Sequence, residues 1–349
     1  MLLTSEQVSA GHPDKICDQI ADAVVTDCLR HDRNSRVAVE CMIKEYDVTI
    51  CGEITSTHTP DFETLARRVL LPLTGEEESG AYRVAVHITR QSPDIARGVD
   101  AQGAGDQGIV FGYATDETPR MLPVPFVLAT DSLERLRDLK SPILLPDAKS
   151  QVTYDSLRKR VDTFLISTQH QADAAVEDVR CTVKRIMRDT AQAHGLNTDF
   201  RALVNPTGRF VVGGSFADTG VTGRKIVADT YGGACRHGGG AFSGKDPTKV
   251  DRSAAYMARK IARDIVRRGY AGRAEVQLAY AIGMAGPISV SVDCFDTQRL
   301  PPRDLVRWIR KIYDLTPAGI IDSLSLRDVD FTEVSTYGHF WRDWMPWEK

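Results

Sequence analysis

The chain has 349 residues and a formal net charge of −3, because 47 aspartates and glutamates outnumber 44 lysines and arginines. This length predicts roughly two or three domains around a large core, and the weak negative charge excludes a general attraction to nucleic acid or to an anionic membrane. The sequence has neither a membrane span of roughly 18 apolar residues nor a signal-peptide pattern, and its 7 cysteines form no C-x-x-C pair, so we expect a cytoplasmic protein with reduced thiols rather than a disulfide framework or a zinc site.

The first predicted helix begins at Pro13, which suits the first turn of a helix. Apolar residues then repeat at every fourth position from Ile16 onwards, so one face of this helix is predicted to be buried. His12, Asp14 and Lys15 cluster at its start and offer a hydrogen-bond donor, a carboxylate that can bind a metal ion, and an ammonium group. Ordinary capping by Asp14 with a solvated Lys15 explains the same residues equally well.

Two strand-like runs at residues 36–43 and 47–51 predict a hairpin. Glu40 lies inside the first run, where a carboxylate is unusual unless it faces water or a cation, and Glu53 follows the second run at the exit of the strand. The other helices are predicted at about residues 60–71, 125–140, 172–194, 253–268 and 303–313, and the other strands at 83–89, 109–114, 151–154, 162–167, 201–204, 275–282 and 288–295.

Two further segments carry polar residues between these elements. Residues 90–108 combine glycine-rich ends with a polar middle that includes Asp106. This composition favours a mobile loop that acts as a lid, although a plain long connection explains it as well. Further on, Asp147 and Lys149 lie in a predicted turn just before the strand at residues 151–154.

Residues 236–252 hold three consecutive glycines and two lysines, Lys245 and Lys249, and Asp251 ends the turn before the predicted helix. Glycine lets the backbone approach a ligand closely, and a helix N-terminus favours anions, so the segment predicts phosphate binding rather than a flexible surface loop. The spacing up to Lys245 also fits the G-x-x-x-x-G-K part of a P-loop. Asp246 stands where that motif needs a hydroxyl group, and no apolar strand precedes it, so a kinase is the weaker interpretation.

The order helix, two strands, helix, strand recurs from near residues 13, 125 and 253. These starts are too widely spaced for a solenoid, and they predict an α+β fold built from three similar units. Residue identity between the three parts is low, so the order of the elements alone carries this prediction.

Five short motifs follow one another along nearly the whole chain, and a sixth segment, Tyr337-Gly-His-Phe340, extends them to the C-terminal part. They are Gly11-His-Pro-Asp-Lys15, Gly103-Ala-Gly-Asp-Gln-Gly108, Asp147-Ala-Lys149, Thr222-Gly-Arg-Lys225 and Gly238-Gly-Gly-Ala-Phe-Ser-Gly-Lys-Asp246. In this order they resemble the methionine adenosyltransferase (S-adenosylmethionine synthetase) family. One glycine loop is a weak signal, but five ordered motifs are a specific one.

This resemblance implies three α/β-sandwich domains around a pseudo-threefold axis, at residues 1–99, 103–213 and 214–349, with strands and helices exchanged across these boundaries. It implies that ATP, L-methionine and water are converted into S-adenosylmethionine, phosphate and diphosphate, with a pair of Mg²⁺ ions and K⁺ as cofactors. It also implies a homodimer or homotetramer with active sites at the subunit interface, and no nucleic-acid or membrane partner.

The resemblance further implies a role for each matching residue. The catalytic residues would be His12, Lys15, Arg224 and Lys245. The ATP-binding residues would be these four together with Asp147, Lys149, Arg209, Phe210, Asp218, Lys225 and Ala241. Methionine would contact Glu53, Gln91, Asp106, Asp218 and Lys249. Asp14 and Asp251 would hold Mg²⁺, and Glu40 would help to bind K⁺.

The chain departs from the family pattern between Asp94 and Gly103, where the usual gating loop is shorter, and it is trimmed around residues 74–81 and after Thr153. We hypothesise that the short loop closes less completely and tolerates S-alkyl analogues larger than methionine. A different alternative is a non-catalytic nucleotide-binding subunit that regulates a partner enzyme. That alternative predicts loss of the catalytic cations or the metal carboxylates, and the sequence retains all of them.

Overall fold

The computed structural model describes residues 1–91 and 104–349, which form three open sheets with helices packed against them. The strands are β1 Leu2–Val8, β2 Arg36–Lys44, β3 Asp47–Thr55, β4 Arg83–Thr89, β5 Gly108–Thr115, β6 Leu144–Asp155, β7 Arg160–His170, β8 Arg201–Val204, β9 Gly220–Val221, β10 Arg273–Tyr280 and β11 Ser289–Asp293. The helices are α1 Pro13–His31, α2 Phe62–Thr74, α3 Glu76–Ala81, α4 Val124–Asp138, α5 Val176–Ala193, α6 Gly214–Ala217, α7 Ile226–Asp229, α8 Val250–Arg267, α9 Pro302–Ile312 and α10 Pro317–Ser323. Short 3₁₀ helices follow at Leu326–Asp328, Phe331–Glu333 and Pro346–Glu348.

Each sheet takes one strand from outside its own predicted domain. The strand orders are β1-β6-β7-β8, β11-β10-β5 and β4-β3-β2-β9. By the predicted limits, residues 1–99 contribute β1 to the sheet of residues 103–213, residues 103–213 contribute β5 to the sheet of residues 214–349, and residues 214–349 contribute β9 to the sheet of residues 1–99. This cyclic exchange confirms the predicted α+β fold of three similar units. Because a strand crosses each boundary, the limits 1–99, 103–213 and 214–349 stay a prediction.

One long helix covers each sheet. α1 packs against β2, α4 against β1 and β6, and α8 against β5 and β10. The apolar repeat predicted in α1 is confirmed, since Ile16 is 3% exposed and Ile20, Val24 and Cys28 are 0% exposed. No helix in the described ranges combines the length and the apolar character needed to cross a membrane.

The C-terminal aromatic segment packs into the core, except at Trp344. Trp347 is fully buried and Trp341 is 3% exposed, whereas Trp344 is 54% exposed. The ring of Trp347 stacks on Tyr256 of α8 with 3.9 Å between the ring centroids, and its Nε1–H donates to the His339 carbonyl at 2.9 Å. This segment therefore closes the core over the helix that follows the glycine-rich loop.

Several element boundaries differ from the sequence prediction. Glu53, predicted at the exit of its strand, lies inside β3, which continues to Thr55. The strand β1 was not predicted, because its partner β6 lies far along the chain and pairs with it from Val8↔Lys149 to Leu2↔Asp155. Asp147 and Lys149 consequently lie inside β6, beside an irregularity in its pairing with β7 between Leu144 and Ala148, and not in a turn before the strand. The helix α8 begins at Val250 instead of residue 253, which places Asp251 in its first turn.

Candidate active site

Three aspartates lie four residues apart along one side of α1, and all three are fully buried. Asp14, Asp18 and Asp22 are each 0% exposed. Each carboxylate accepts a backbone N–H from a loop: Asp14 from Val221 at 2.9 Å, Asp18 from Gly223 at 2.8 Å and Asp22 from Gly244 at 3.0 Å. Hydrogen bonds to an ionised acceptor are stronger than neutral ones. The row of aspartates therefore fixes two separate loops against the same helix.

The first of these loops, residues 219–225, meets the start of α1 in a group that we call the His12 cluster. The His12 cluster consists of His12, Asp14, Asp147, Lys149, Asp218, Arg224 and Lys225. Lys225 Nζ forms an ion pair with Asp14 Oδ2, and Arg224 Nε lies 3.6 Å from Asp14 Oδ1. The charges of Lys225, Lys149 and Asp218 all act on His12. Residues predicted from four separate parts of the chain are thus neighbours.

His12 caps α1 through its ring, since Nδ1 accepts a hydrogen bond from the Asp14 N–H at 3.2 Å. Burial, followed by the positive charge of Lys225, lowers the pKa of His12 to about 4. The imidazole is therefore neutral at physiological pH, and because Nδ1 is the acceptor, the single proton is on Nε2. His12 accordingly presents an Nε2–H donor, rather than a positive charge, to a ligand.

Asp147 and Lys149 extend the His12 cluster along β6. Asp147 Oδ2 accepts the Gly214 N–H at 2.8 Å. Burial raises the pKa of Asp147 to about 6, although the hydrogen bond from Gly214 opposes this shift. Lys149 Nζ lies 2.9 Å from Glu6 Oε2, and the two side chains are 45% and 38% exposed. An ion pair this exposed is weak, so Lys149 remains free to bind an anionic ligand.

The second loop, residues 236–249, is called the glycine loop below, and it adds to the free edge of β2. The Val39 N–H donates to the Gly244 carbonyl at 2.9 Å. β9 pairs with the same edge of β2 further along the strand, at Met42 and Ile43. Glu40 therefore lies on β2 between the two loops that carry the predicted phosphate ligands.

The glycine loop also touches the His12 cluster. A Cβ added to Gly223 would lie only 2.6 Å from the Cβ of Ala241, so the two loops are in close contact there. Thr222, the residue before Gly223, anchors its loop to β2 because its Oγ1 accepts the Cys41 N–H at 2.8 Å. Both loops are consequently held on one stretch of β2 and form one continuous surface.

Both lysines of the glycine loop form ion pairs. Lys245 Nζ lies 2.7 Å from Asp251 Oδ2, and Lys249 Nζ pairs with Asp246 Oδ2. A Cβ on Gly240 would lie 2.3 Å from the Asp251 carboxyl carbon, so glycine is required where the loop passes this carboxylate. In a P-loop the lysine leads directly into a helix, whereas α8 begins only at Val250. The kinase interpretation is therefore not favoured.

The ionised form of Glu40 is disfavoured at this position. Glu40 is an exposed residue, but the surrounding protein removes part of the water around its carboxyl group. This partial burial raises the pKa of Glu40 to about 7, although the charge of Lys245 opposes the shift. Its neighbours Val39 and Cys41 face the core, while Glu40 points to the exposed side of the sheet. A bound cation would favour the ionised form of this carboxyl.

The predicted methionine ligands outside the two loops lie on exposed surface. Glu53 pairs with Ala38 on one edge of β2, and Lys245 bridges to Ala38 on the other edge, so one strand separates Glu53 from the glycine loop. Gln91 and Asp106 flank residues 92–103. The Gln91 N–H donates to Thr55 Oγ1 at 3.3 Å, and Asp106 Oδ1 accepts the N–H of the next residue, Gln107, at 2.8 Å. The predicted lid, and the hypothesis of a short gating loop, fall on residues 92–103 and so lie outside the described residues.

Arg209 and Phe210 lie beyond the end of β7. The Phe210 N–H donates to His170 Nε2 at 3.1 Å, and the Arg209 guanidinium donates to the Ala172 carbonyl at 3.2 Å. From Phe210 the chain continues to Gly214, whose N–H bonds to Asp147. The segment therefore borders the His12 cluster on the side of Asp147.

Lys15 is not placed as a triphosphate ligand. Its side chain is 1% exposed, and Nζ pairs with Asp18 at 2.8 Å and with Asp229 on the other side. Burial alone would lower the pKa of this ammonium, but Asp18 and Asp229 outweigh burial and raise the pKa above its ordinary value. In this structure Lys15 is thus a buried counter-ion that positions α1, and its contact with triphosphate stays a prediction.

Gly244 provides a test of how closely the glycine loop must approach β2. Its φ is +82°, and a Cβ there would lie 2.0 Å from the Val39 carbonyl oxygen. We expect Gly244→Ala to lower the free energy of unfolding by more than the roughly 1–2 kcal/mol of left-handed backbone strain. Gly233 is the matched control, because its φ is +93° and an added Cβ meets nothing within 4 Å. Equal losses in the two variants, measured by urea unfolding, would contradict the close approach.

Three family models match consecutive parts of the chain. The S-adenosylmethionine synthetase N-terminal domain matches residues 1–93, the central domain matches 101–210 and the C-terminal domain matches 212–349.

Curated relatives named S-adenosylmethionine synthase align along the full chain. The protein of Staphylococcus epidermidis is 44% identical over 379 aligned residues, which cover 100% of this chain and 95% of the relative. The protein of Treponema denticola is 45% identical over 369 residues, covering 99% and 95%. Because the first alignment is longer than the 349 residues of this chain, parts of the relative have no counterpart here. The chain belongs to the S-adenosylmethionine synthetase family.

Proposed function

We propose that the chain is a methionine adenosyltransferase, which joins ATP to L-methionine and hydrolyses the released triphosphate to phosphate and diphosphate. The observation that carries this proposal is a pair of matched ion pairs, Lys225 with Asp14 and Lys245 with Asp251. Each pair joins a predicted triphosphate ligand to a predicted Mg²⁺ ligand. When a magnesium–triphosphate binds, the lysine can pair with a phosphate oxygen and the aspartate with the metal ion. Family membership and the names of the relatives support the same reaction.

The chemistry fits a site without a general base. The thioether sulfur of methionine carries a lone pair and has no proton to lose. It attacks C5′ of ATP, the C5′–O bond breaks, and the bonding electrons stay on the leaving triphosphate. Neutral His12 suits this step. Its Nε2–H can donate a hydrogen bond to the leaving oxygen, and the sulfur has no proton that His12 would have to remove. Water then attacks the retained triphosphate.

The lysines and the arginine of the site stabilise the negative charge that grows on the leaving triphosphate. Arg224 and Lys225 next to Asp14, and Lys245 next to Asp251, offer fixed positive charge to the triphosphate as it separates from C5′. Such preorganised groups stabilise the transition state more than the bound substrate. Holding the sulfur in line with C5′ lowers the remaining barrier through orientation.

The family needs metal ions, and we propose Mg²⁺ at Asp14 and Asp251 and K⁺ near Glu40. Mg²⁺ commonly binds proteins through one or two carboxylates together with substrate phosphates and water. The two aspartates fit this pattern, since each already pairs with a cation that can transfer to a phosphate oxygen. When bound, the metal ions would neutralise charge on the triphosphate.

We also propose a homodimer or homotetramer of the cytoplasm in which each active site combines residues of two copies. The supporting observation is the open face of the sheet β4-β3-β2-β9, where Glu40 and Glu53 are exposed and Met42 is 47% exposed. A second copy on this face would cover Met42 and bring further charged groups to the glycine loop.

The proposed function is tested by incubating the purified protein with ATP, L-methionine, Mg²⁺ and K⁺ and following all three products. We expect equal amounts of S-adenosylmethionine, phosphate and diphosphate. No product would support the regulatory-subunit alternative, and phosphate without S-adenosylmethionine would refute the methionine half of the proposal. Replacing methionine with S-ethyl homocysteine tests the short-loop hypothesis, and a strong preference for methionine would count against that hypothesis.

Activation by K⁺ should weaken as the pH falls through about 7. Glu40 has a pKa of about 7 because burial disfavours its charged form, and the protonated carboxyl offers no negative charge to a monovalent cation. Half-maximal activation should therefore need more K⁺ at about pH 6 than at about pH 8. In Glu40→Gln this pH dependence of K⁺ activation should disappear, and its persistence would show that another group titrates.

A further inference from the structure

A second set of metal-ligating side chains lies at the other end of α1, away from the His12 cluster. Asp27 and His31 are one turn apart near the C-terminal end of α1, and His58 comes from the loop after β3. One ligand atom from each of the three lies within 4.8 Å of the other two. We propose that Asp27, His31 and His58 form a binding site for a zinc ion, independent of the proposed catalytic function.

The hydrogen bonds within this set suit metal ligation. His58 Nε2 lies 2.8 Å from Asp27 Oδ2, and the rings of His31 and His58 stack with centroids 3.9 Å apart and planes 16° apart. His31 Nδ1 lies 2.9 Å from the backbone carbonyl of Asp27, so it donates there and leaves the lone pair on Nε2. A ligating histidine typically donates its other N–H to a carbonyl or carboxylate in this manner.

The backbone that carries His58 is already held against the end of α1. Asp32 Oδ2 accepts the Thr57 N–H at 2.9 Å and the Thr57 hydroxyl at 3.1 Å. Ser35 Oγ and Ser56 Oγ are 2.8 Å apart. These contacts position the loop without any help from His58, so ligands from two elements are brought together in advance.

The exposure of the three side chains leaves room for an ion and for water. His31 is 54% exposed, His58 is 26% exposed and Asp27 is 20% exposed. Zinc is tetrahedral with nitrogen and oxygen ligands at about 2.0–2.2 Å, so two imidazoles, one carboxylate and one water complete its coordination. The stacked rings must rotate about their side-chain bonds to converge on the ion. The proton on His58 Nε2 then moves to Nδ1, and the ring stays neutral.

The choice of zinc follows from the ligand types. Imidazole nitrogen suits Zn²⁺, whereas Mg²⁺ prefers oxygen ligands. A bound ion would tie the last turn of α1 to the loop after β3, and its free energy of binding would add to the stability of the folded chain. The expected consequence is stabilisation of this part of the molecule, without a direct role at the His12 cluster.

The test is a titration of the full-length protein with Zn²⁺, in excess Mg²⁺ so that the carboxylates of the other site are occupied. We expect one Zn²⁺ per chain. His31→Ala and His58→Ala should each weaken the affinity about tenfold or more, and both should fold because these side chains are partly exposed. His194→Ala is the matched control, since His194 Nε2 has a single carboxylate partner, Asp131, at 3.1 Å; it should leave the binding unchanged.

Two further measurements separate this site from the cysteines and from the catalytic carboxylates. Co²⁺ bound in place of Zn²⁺ should show the visible bands of nitrogen and oxygen ligands and no thiolate charge-transfer band. Zn²⁺ should raise the thermal unfolding midpoint of the wild type but not that of His58→Ala. Absence of Zn²⁺ binding, or equal binding by the wild type and both histidine variants, would overturn the proposal.

Discussion

Lys245→Met should lower kcat about a hundredfold to a thousandfold while leaving the KM for ATP nearly unchanged. Lys245 Nζ lies 2.7 Å from Asp251, at the point where the glycine loop joins β2. Its charge matters most when the C5′–O bond breaks, because the negative charge on the leaving triphosphate grows only in the transition state. Initial rates of S-adenosylmethionine formation, with ATP and methionine varied separately, give kcat and both KM values.

Lys260→Met is the matched control for this variant. Lys260 forms an ion pair with Asp264 at 3.2 Å within α8, and its side chain is 24% exposed, against 21% for Lys245. Lys260 lies outside the site, and the buried Asp264 keeps its ion pair with Arg267, so the loss of Lys260 should leave kcat unchanged. A large rise in the KM for ATP at unchanged kcat in Lys245→Met would mean that Lys245 binds the substrate and the transition state equally.

A mixture of Lys245→Met with Lys225→Met decides whether an active site is completed by one chain or by two. We expect Lys225→Met to be as inactive as Lys245→Met, and a mixture of the two, unfolded and refolded together, to regain part of the activity. If each site takes Lys225 from one copy and Lys245 from its partner, mixed dimers contain one site with both lysines intact. If both lysines act from the same chain, every site in the mixture lacks one of them and no activity returns.

Local patterns were sufficient for most elements and for the two loops that carry the candidate cations. The interval of four between apolar residues identified α1, and the order of five motifs identified the two loops. The exchange of β1, β5 and β9 between sheets could not be predicted in this way, since pairing partners are chosen by contacts between distant parts of the chain. The same limit explains why Asp147 was assigned to a turn when it lies inside β6.

Of the row of aspartates on α1, sequence reasoning found Asp14 and missed Asp18 and Asp22. Asp14, Asp18 and Asp22 have the spacing of one helical face, and a charged row on a helix usually faces water. Their burial depends on N–H groups from residues far along the chain. The ion pair of Lys15 with Asp229 could not be predicted either, because Asp229 lies 214 residues away in sequence.

The largest loss of stability is expected on removal of the Asp22 carboxylate. Asp22 Oδ2 accepts from the Arg252 guanidinium at 2.7 Å and from Ser243 Oγ at 3.0 Å, and Oδ1 accepts the Gly244 N–H. Both members of the Asp22–Arg252 pair are 0% exposed. Asp22→Ala leaves a positive charge buried without its counter-ion, which typically lowers the free energy of unfolding by about 3–5 kcal/mol.

Urea unfolding at one fixed protein concentration measures this loss, with Asp328→Ala as the control. Asp328 pairs with Arg33 at the surface, where the two side chains are 55% and 62% exposed, so its removal should change the free energy of unfolding by at most about 1 kcal/mol. In the double variant Asp22→Leu with Arg252→Met, apolar packing replaces the ion pair and should recover much of the stability. Activity should not return with it, because the Gly244 N–H still lacks its acceptor and the glycine loop loses its attachment to α1. Recovery of both stability and activity would mean that Asp22 balances the charge of Arg252 and does nothing to position Lys245.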